Sequence, residues 1–243
     1  MVSTRHHPRD YEPSPTKAST PSTSDSNSAS TKKWVHAPTT LITLWLLFSI
    51  PLVLWDAGYV LLRPYSMPGG KWHALWSGYE WYGKVDHIYG WPAFNAKNGF
   101  TAAQTIMNLL ETGGYLYYLW VVYRHGTPTT TGSAKASHGS ASVLSRVLPT
   151  DKVVAGRTGA TALLAAFSAS VATVSKTLLY WLQEYFSDFE NIGHNEFWPL
   201  VAWVVLNGLW IVVPAYNLHV LGEEIVSSLT NAAPRQRGRP KLQ

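Results

Sequence analysis

The chain has 243 residues, a net charge of +5, no cysteine and 12 tryptophans. The absence of cysteine excludes disulfides, zinc–thiolate sites, iron–sulfur clusters and cysteine nucleophiles. The length fits one domain plus tails, and a mean hydropathy of −0.04 averages two unlike parts, a Ser/Thr/Pro-rich start and apolar runs dense in Trp and Tyr.

Residues 1–37 are rich in Ser, Thr, Pro and charge. Such a stretch cannot bury enough apolar area to offset the entropy of ordering it, which predicts a disordered tail. No apolar core follows its early basic residues at the spacing of a signal peptide. His6 and His7 are adjacent there, and no metal or other cofactor is expected at them or elsewhere.

The first membrane helix is expected over about 39–62, kinked at Pro51 and ended by Arg63-Pro64. Asp56 lies inside the span. A carboxyl group at that depth is costly unless it has partners, so Asp56 is a candidate functional group. The plainer alternative places it at the outer interface, in contact with water. Residues 64–98 read as a loop lying at the headgroup level, with Trp72, Trp76, Trp81 and Trp91 as interfacial anchors. Glu80, Asp86 and His87 also fall in this loop, at no spacing diagnostic of acid–base chemistry.

A second helix is expected over about 99–123. Gln104, Asn108, Glu111, Tyr115 and Tyr118 recur at steps of four and three, a polar stripe on an otherwise apolar helix. Glu111 falls near mid-membrane and needs a partner; Gly113-Gly114 permits a close helix neighbour. The plainer reading of the stripe is an interhelical hydrogen-bond seam. Residues 124–156 are rich in Gly, Ser and Thr, as in a flexible connector.

The third helix, about 158–185, opens with small residues suited to close packing. Thr173, Lys176, Tyr180 and Gln183 share a face in its second half. Lys176 either snorkels to the interface or meets Asp56, which lies at a similar depth by the ~1.5 Å rise per residue. After the acidic loop 186–196 comes the fourth helix, about 197–221. Its apolar run carries Trp203, Asn207, Trp210, Pro214 and Asn217 on one face. An amide facing lipid is costly, so Asn207 should face a protein interior or cavity.

The expected fold is therefore an all-α membrane protein, a four-transmembrane-helix bundle with a basic C-terminal tail over 229–243. Lys and Arg gather in the tails and middle loop, whereas the loop between helices three and four is acidic. Both termini in the cytosol satisfy the positive-inside rule. Arg237-Gly238-Arg239-Pro240 looks like a minor-groove hook, but one copy behind a membrane helix gives no basis for nucleic-acid binding. Arg239 and Lys241 lie near the end like a dibasic retrieval signal for the endoplasmic reticulum.

Residues 42–226 resemble a known family, the EXPERA proteins, which include emopamil-binding protein, its paralogue, the sigma-two receptor and the transmembrane six superfamily. Leu206-Asn-Gly-Leu-Trp-Ile-Val-Val-Pro214 looks like the family's last-helix Asn-x-x-Trp-x-x-x-Pro motif. Tyr82-Gly-Lys-Val-Asp86 is similar to its Tyr-Ala/Gly-Lys-x-Asp segment. Gly193-His194, and Leu179-Tyr180-Trp181-Leu182 ahead of an acidic residue, match in place and order. Asp56-Ala-Gly-Tyr-Val-Leu looks like the segment with an intramembrane acid.

The resemblance implies an endoplasmic-reticulum bundle that takes a sterol, a sterol-like lipid or an amphiphilic amine from among the membrane lipids, with a second copy of the chain as a further partner to test. It also implies sterol Δ8–Δ7 isomerisation by proton transfer, with Asp56 and Glu111 as donor and acceptor in unassigned order. Trp210 would stabilise a carbocation and Asn207 would orient an acid or a ligand hydroxyl, while Gln104, Asn108, Tyr115, Lys176 and Tyr180 complete the pocket. The chain departs from the isomerase pattern at Leu52, where the family has His, and at Gln104, where it has Glu; Gln exchanges no proton near neutral pH. A non-catalytic receptor or lipid-trafficking protein of the sigma-two type is the alternative. A membrane terpenoid cyclase shares only size and acids with this chain.

Overall fold

In the computed structural model, residues 34–129 and 152–232 are described. Most of the expected N-terminal tail, most of the connector and the basic C-terminal tail lie outside the described residues.

Four long helices make the body: α1 (Thr40–Leu61), α4 (Phe100–His125), α5 (Gly156–Phe186) and α6 (Phe197–Ala232). Two short ones, α2 (Gly78–Val85) and α3 (Trp91–Asn95), and a 3-10 turn (His73–Trp76) lie between α1 and α4. Among the described residues, three helices are long and apolar enough to cross a membrane: Thr40–Leu61, Gly156–Phe186 and Phe197–Asn231. With 26 residues, α4 is about 39 Å long at ~1.5 Å per residue, and its inward polar stripe lowers its hydropathy. The fourth stretch runs further than expected, as one helix to Ala232.

Leu44, Leu47, Phe48, Leu52, Leu54 and Trp55 of α1 are exposed, as are Leu164, Leu178 and Leu182 of α5 and Val205, Leu209 and Val212 of α6. In water so much apolar surface would drive association; facing acyl chains it costs nothing. α1 packs on α4, α4 on α5 and α5 on α6, whereas α1 and α6 share no extended seam. Gly114 makes the α4–α5 approach close: a Cβ there would lie 3.4 Å from the Ala169 Cβ. Its neighbour Gly113 faces open space.

At one end of the bundle a small antiparallel sheet, order β1-β3-β2, joins β1 (Val35–His36), β2 (Thr127–Pro128) and β3 (Lys152–Ala155). Helix alone was expected, with residues 34–37 in the tail and 127–128 and 152–155 in the connector. Here His36 is 1% exposed. Its Nδ1 lies 2.9 Å from Glu224 Oε2 on α6, and its Nε2 lies 3.0 Å from the Tyr118 hydroxyl on α4. Backbone pairing of Val35 with Ala155 holds the strand in register. His36→Ala leaves the Tyr118 hydroxyl buried without its partner, so unfolding in detergent should show a loss of about 1–3 kcal/mol. A variant as stable as the parent would mean that this cluster ties nothing together.

At the opposite end, residues 64–98 fold into a cap rather than a loop on the headgroups. Met67, Tyr79, Val85 and Ile88 are buried in it. Trp72, Trp81 and Trp91 are exposed, as interfacial anchors would be, but Trp76 is buried against α1. The Trp76 indole N–H donates to the Trp55 carbonyl at 2.8 Å, and that of Trp55 donates to the Leu75 carbonyl at 3.0 Å. Gly83 and Gly90 let two cap segments touch; a Cβ on Gly90 would sit 2.5 Å from the Gly83 carbonyl oxygen. The α5–α6 loop fastens the cap through His87 N–H to the Asn191 carbonyl (3.1 Å) and Asn195 Nδ2 to the Val85 carbonyl (2.6 Å). The His87 and His194 rings also stack, with centroids 3.8 Å apart.

Candidate functional site

The missing seam between α1 and α6 leaves a cavity of about 370 Å³, walled by α1, α4, α5 and α6 and roofed by α2 and Tyr89. The helical stripes determine what faces it. On α4, Gln104, Asn108, Glu111 and Tyr115 line it; on α5, Lys176 and Tyr180; on α6, Asn207 and Trp210; on α1, Asp56. All nine sequence-derived site residues thus share one chamber. Tyr118, the last member of the α4 stripe, belongs instead to the His36 cluster.

Asp56 is the acidic group of the α1 wall and accepts a hydrogen bond from the Tyr79 hydroxyl of the cap. Tyr79 stacks on Tyr59 with centroids 3.8 Å apart and meets Tyr82 edge-on at 5.9 Å. Tyr82 in turn meets Tyr89 at 5.2 Å. Burial, and then the Asp56 charge, hold the Tyr79 phenol far above its ordinary titration range. Burial and then Asp86 do the same for Tyr82, and burial and then Asp56 for Tyr89. These phenols stay protonated donors around a carboxyl group, with ring faces suited to a cation.

The second pole is built by α4 and α5. Lys176 Nζ lies 2.9 Å from Glu111 Oε2 and also bonds Asn108 Oδ1. The Thr173 hydroxyl donates to Glu111 Oε2 at 2.8 Å. Gln104 Nε2 donates to the Lys176 carbonyl at 3.2 Å, and the Tyr115 hydroxyl donates to Ser170 at 3.2 Å. Among the described residues, Glu111 Oε1 is buried and has no partner. Lys176 therefore pairs with Glu111, not with Asp56 as equal depth suggested, and at 11% side-chain exposure it does not snorkel.

A further buried acid beside the chamber was not assigned from the sequence. Asp86 is 0% exposed and joins the cap to α5 and α6. Tyr180 and the Trp203 indole (2.7 Å) both donate to its Oδ2, and the Ile88 N–H donates to its Oδ1 at 3.2 Å. Burial pushes its carboxyl up to about 6, against the pull of those donors. Tyr180 thus walls the cavity while its hydroxyl serves Asp86. Asn207 Nδ2 donates to the Trp203 carbonyl at 2.9 Å and the Tyr82 hydroxyl at 3.3 Å, so it braces the roof. Trp210 packs edge-on against Trp45 across the α1–α6 gap, centroids 5.1 Å apart. The signal that could have found Asp86 was its place at the end of the Tyr82–Asp86 segment, just after a short amphipathic helix.

Among the described residues no group of three or more His, Asp or Glu is placed to hold a metal ion. No family model matches the chain, and no curated protein or solved structure matches it.

Proposed function

We propose that this is a multi-pass protein of the endoplasmic-reticulum membrane that binds a sterol or sterol-like lipid among four membrane helices. In this reading α4 is the fourth span and both termini are cytosolic, as the distribution of Lys and Arg requires. One observation carries it: polar groups from α1, α4, α5 and α6 meet in one cavity whose volume, about 370 Å³, falls in the ~300–1,000 Å³ range of small-molecule sites. Asp56 and the cap phenols hold the ligand's cationic or hydrogen-bonding end, and the indoles of Trp45 and Trp210 hold its apolar frame. The EXPERA resemblance supplies the ligand class.

A second reading adds chemistry. Asp56 and Glu111 face the same cavity, so a ring double bond between them could be protonated by one and deprotonated by the other, a Δ8–Δ7 shift. Gln104, Leu52 and the commitment of Glu111 to Lys176 favour binding without turnover, as in a receptor or lipid-trafficking protein.

The test is expression in cells lacking sterol Δ8–Δ7 isomerase, with sterols read by mass spectrometry, alongside photolabelling by a photoreactive sterol. Labelling that falls at least about tenfold in Asp56→Asn, the loss of one charged hydrogen-bond partner, supports the site. Conversion of Δ8-sterol that vanishes in the same variant supports the isomerase. If neither labelling nor conversion occurs, the sterol reading fails.

A further inference from the structure

We propose that the outer groove between α1 and α4 binds one acidic phospholipid, with an acyl chain along the helices and the phosphate at Lys152 and Arg124. The groove encloses about 300 Å³ and shares no lining residue with the central chamber.

Helical spacing builds its apolar part. Leu116, Trp120 and Tyr123 recur at steps of four and three on α4, and Leu47 of α1 forms the facing wall. All four are exposed, whereas Thr43 and Val122 at the floor are buried. From Leu116 to Tyr123 the wall runs about 10 Å at ~1.5 Å per residue, most of one leaflet of a ~30 Å hydrocarbon core.

The sheet supplies the polar end. β3 pairs with β2 at Lys152 and Pro128, which carries Lys152 to the groove where α4 stops. The lysine stem lies on Gly126, where a Cβ would meet its Cδ at 3.0 Å, and its ammonium lies 5.9 Å from the Tyr123 ring centre. Arg124 is one turn beyond Trp120 on the same stripe. It is exposed and forms no ion pair among the described residues. The His125 ring meets Trp120 edge-on, centroids 5.7 Å apart. None of the residues lining the groove is acidic. Indole, phenol and cations gathered where an apolar wall ends suit the headgroup layer.

The walls also discriminate among occupants. A transmembrane helix packs where small residues let backbones approach, but these walls are Leu, Trp and Tyr. A second copy seated symmetrically would bring Lys152 and Arg124 against the same charges. A flexible acyl chain follows bulky walls, and two basic side chains at its end select a phosphate whose charge no headgroup amine balances.

The experiment uses the full chain in phosphatidylcholine nanodiscs that carry a small share of photoreactive phosphatidic acid. Photoreactive phosphatidylcholine with the same acyl chains is the comparison, and adducts are mapped by mass spectrometry. The acidic probe should label α1 and α4 at the groove at least about tenfold more than the choline probe. Lys152→Gln and Arg124→Gln should each lower that labelling about fivefold, the effect of one basic side chain near a membrane surface, and together about twentyfold. Lys84→Gln, an exposed charge on the cap, should leave it unchanged. Equal labelling by the two probes overturns the proposal, as does labelling spread evenly over the lipid-facing helices. A preference that survives the double variant overturns it too, and displacement by inorganic phosphate would show a site for a free anion instead. The two-probe comparison in the parent protein decides alone if a variant does not fold.

Discussion

Asp86→Ala should cost about 3–5 kcal/mol and release the cap from the bundle, one of the two largest effects expected in this chain. The carboxylate collects the Tyr180 hydroxyl, the Trp203 indole and the Ile88 N–H, each from a different element. Alanine leaves those three donors without their acceptor inside a cluster of Val85, Ile88, Tyr180, Ile192 and Trp203. Because α2 and Tyr89 roof the cavity, ligand labelling should fall together with stability. Unfolding followed by indole fluorescence measures the first and photolabelling the second. Intact stability would mean that the cap is held by its apolar contacts alone.

The same residue predicts a pH dependence with a definite sign. Burial raises the Asp86 carboxyl from 3.8 to about 6, so the folded protein binds this proton more tightly than the unfolded chain. Its contribution to stability is therefore fully present below pH ~4 and lost as pH rises through about 6. Roughly two units at ~1.36 kcal/mol each give a decline of about 3 kcal/mol across that window. Asp86→Asn cannot titrate, so its stability should lack this component between pH 4 and 7. Parallel stability curves for parent and variant would refute the assignment.

What the sequence revealed followed from helical period and the membrane. A polar side chain on an apolar helix cannot face acyl chains without penalty, so steps of three and four sort residues onto an inner face before any partner is known. This is why Gln104, Asn108, Glu111 and Tyr115, and likewise Asn207 and Trp210, were legible as walls of one chamber. Partner identity was not legible. Lys176 and Asp56 have similar depths, but α5 packs on α4 and α6 and shares no extended seam with α1, so the ammonium meets Glu111. Depth along an axis is local information; the order of helices around the bundle is not. The cap was hidden for the same reason. Asp86 takes its meaning from Tyr180 and Trp203, 94 and 117 residues away. The sheet rests on strands of two to four residues, too short for alternation to show.

Lys176→Met should be as damaging as the loss of Asp86, and for the opposite reason: it strands a charge instead of donors. Glu111 keeps its carboxyl at 7% exposure with Thr173 as its remaining donor, and Asn108 loses its ammonium. Removing one member of a buried ion pair costs about 3–5 kcal/mol, whereas replacing both by apolar groups of similar volume is often neutral. The double variant Lys176→Met with Glu111→Leu should therefore recover most of the stability, and a double-mutant cycle on unfolding free energies should return a coupling of at least about 3 kcal/mol, the cost of the single variant that the second substitution relieves. A Lys176→Met protein within about 0.5 kcal/mol of the parent would mean that the pair is not formed.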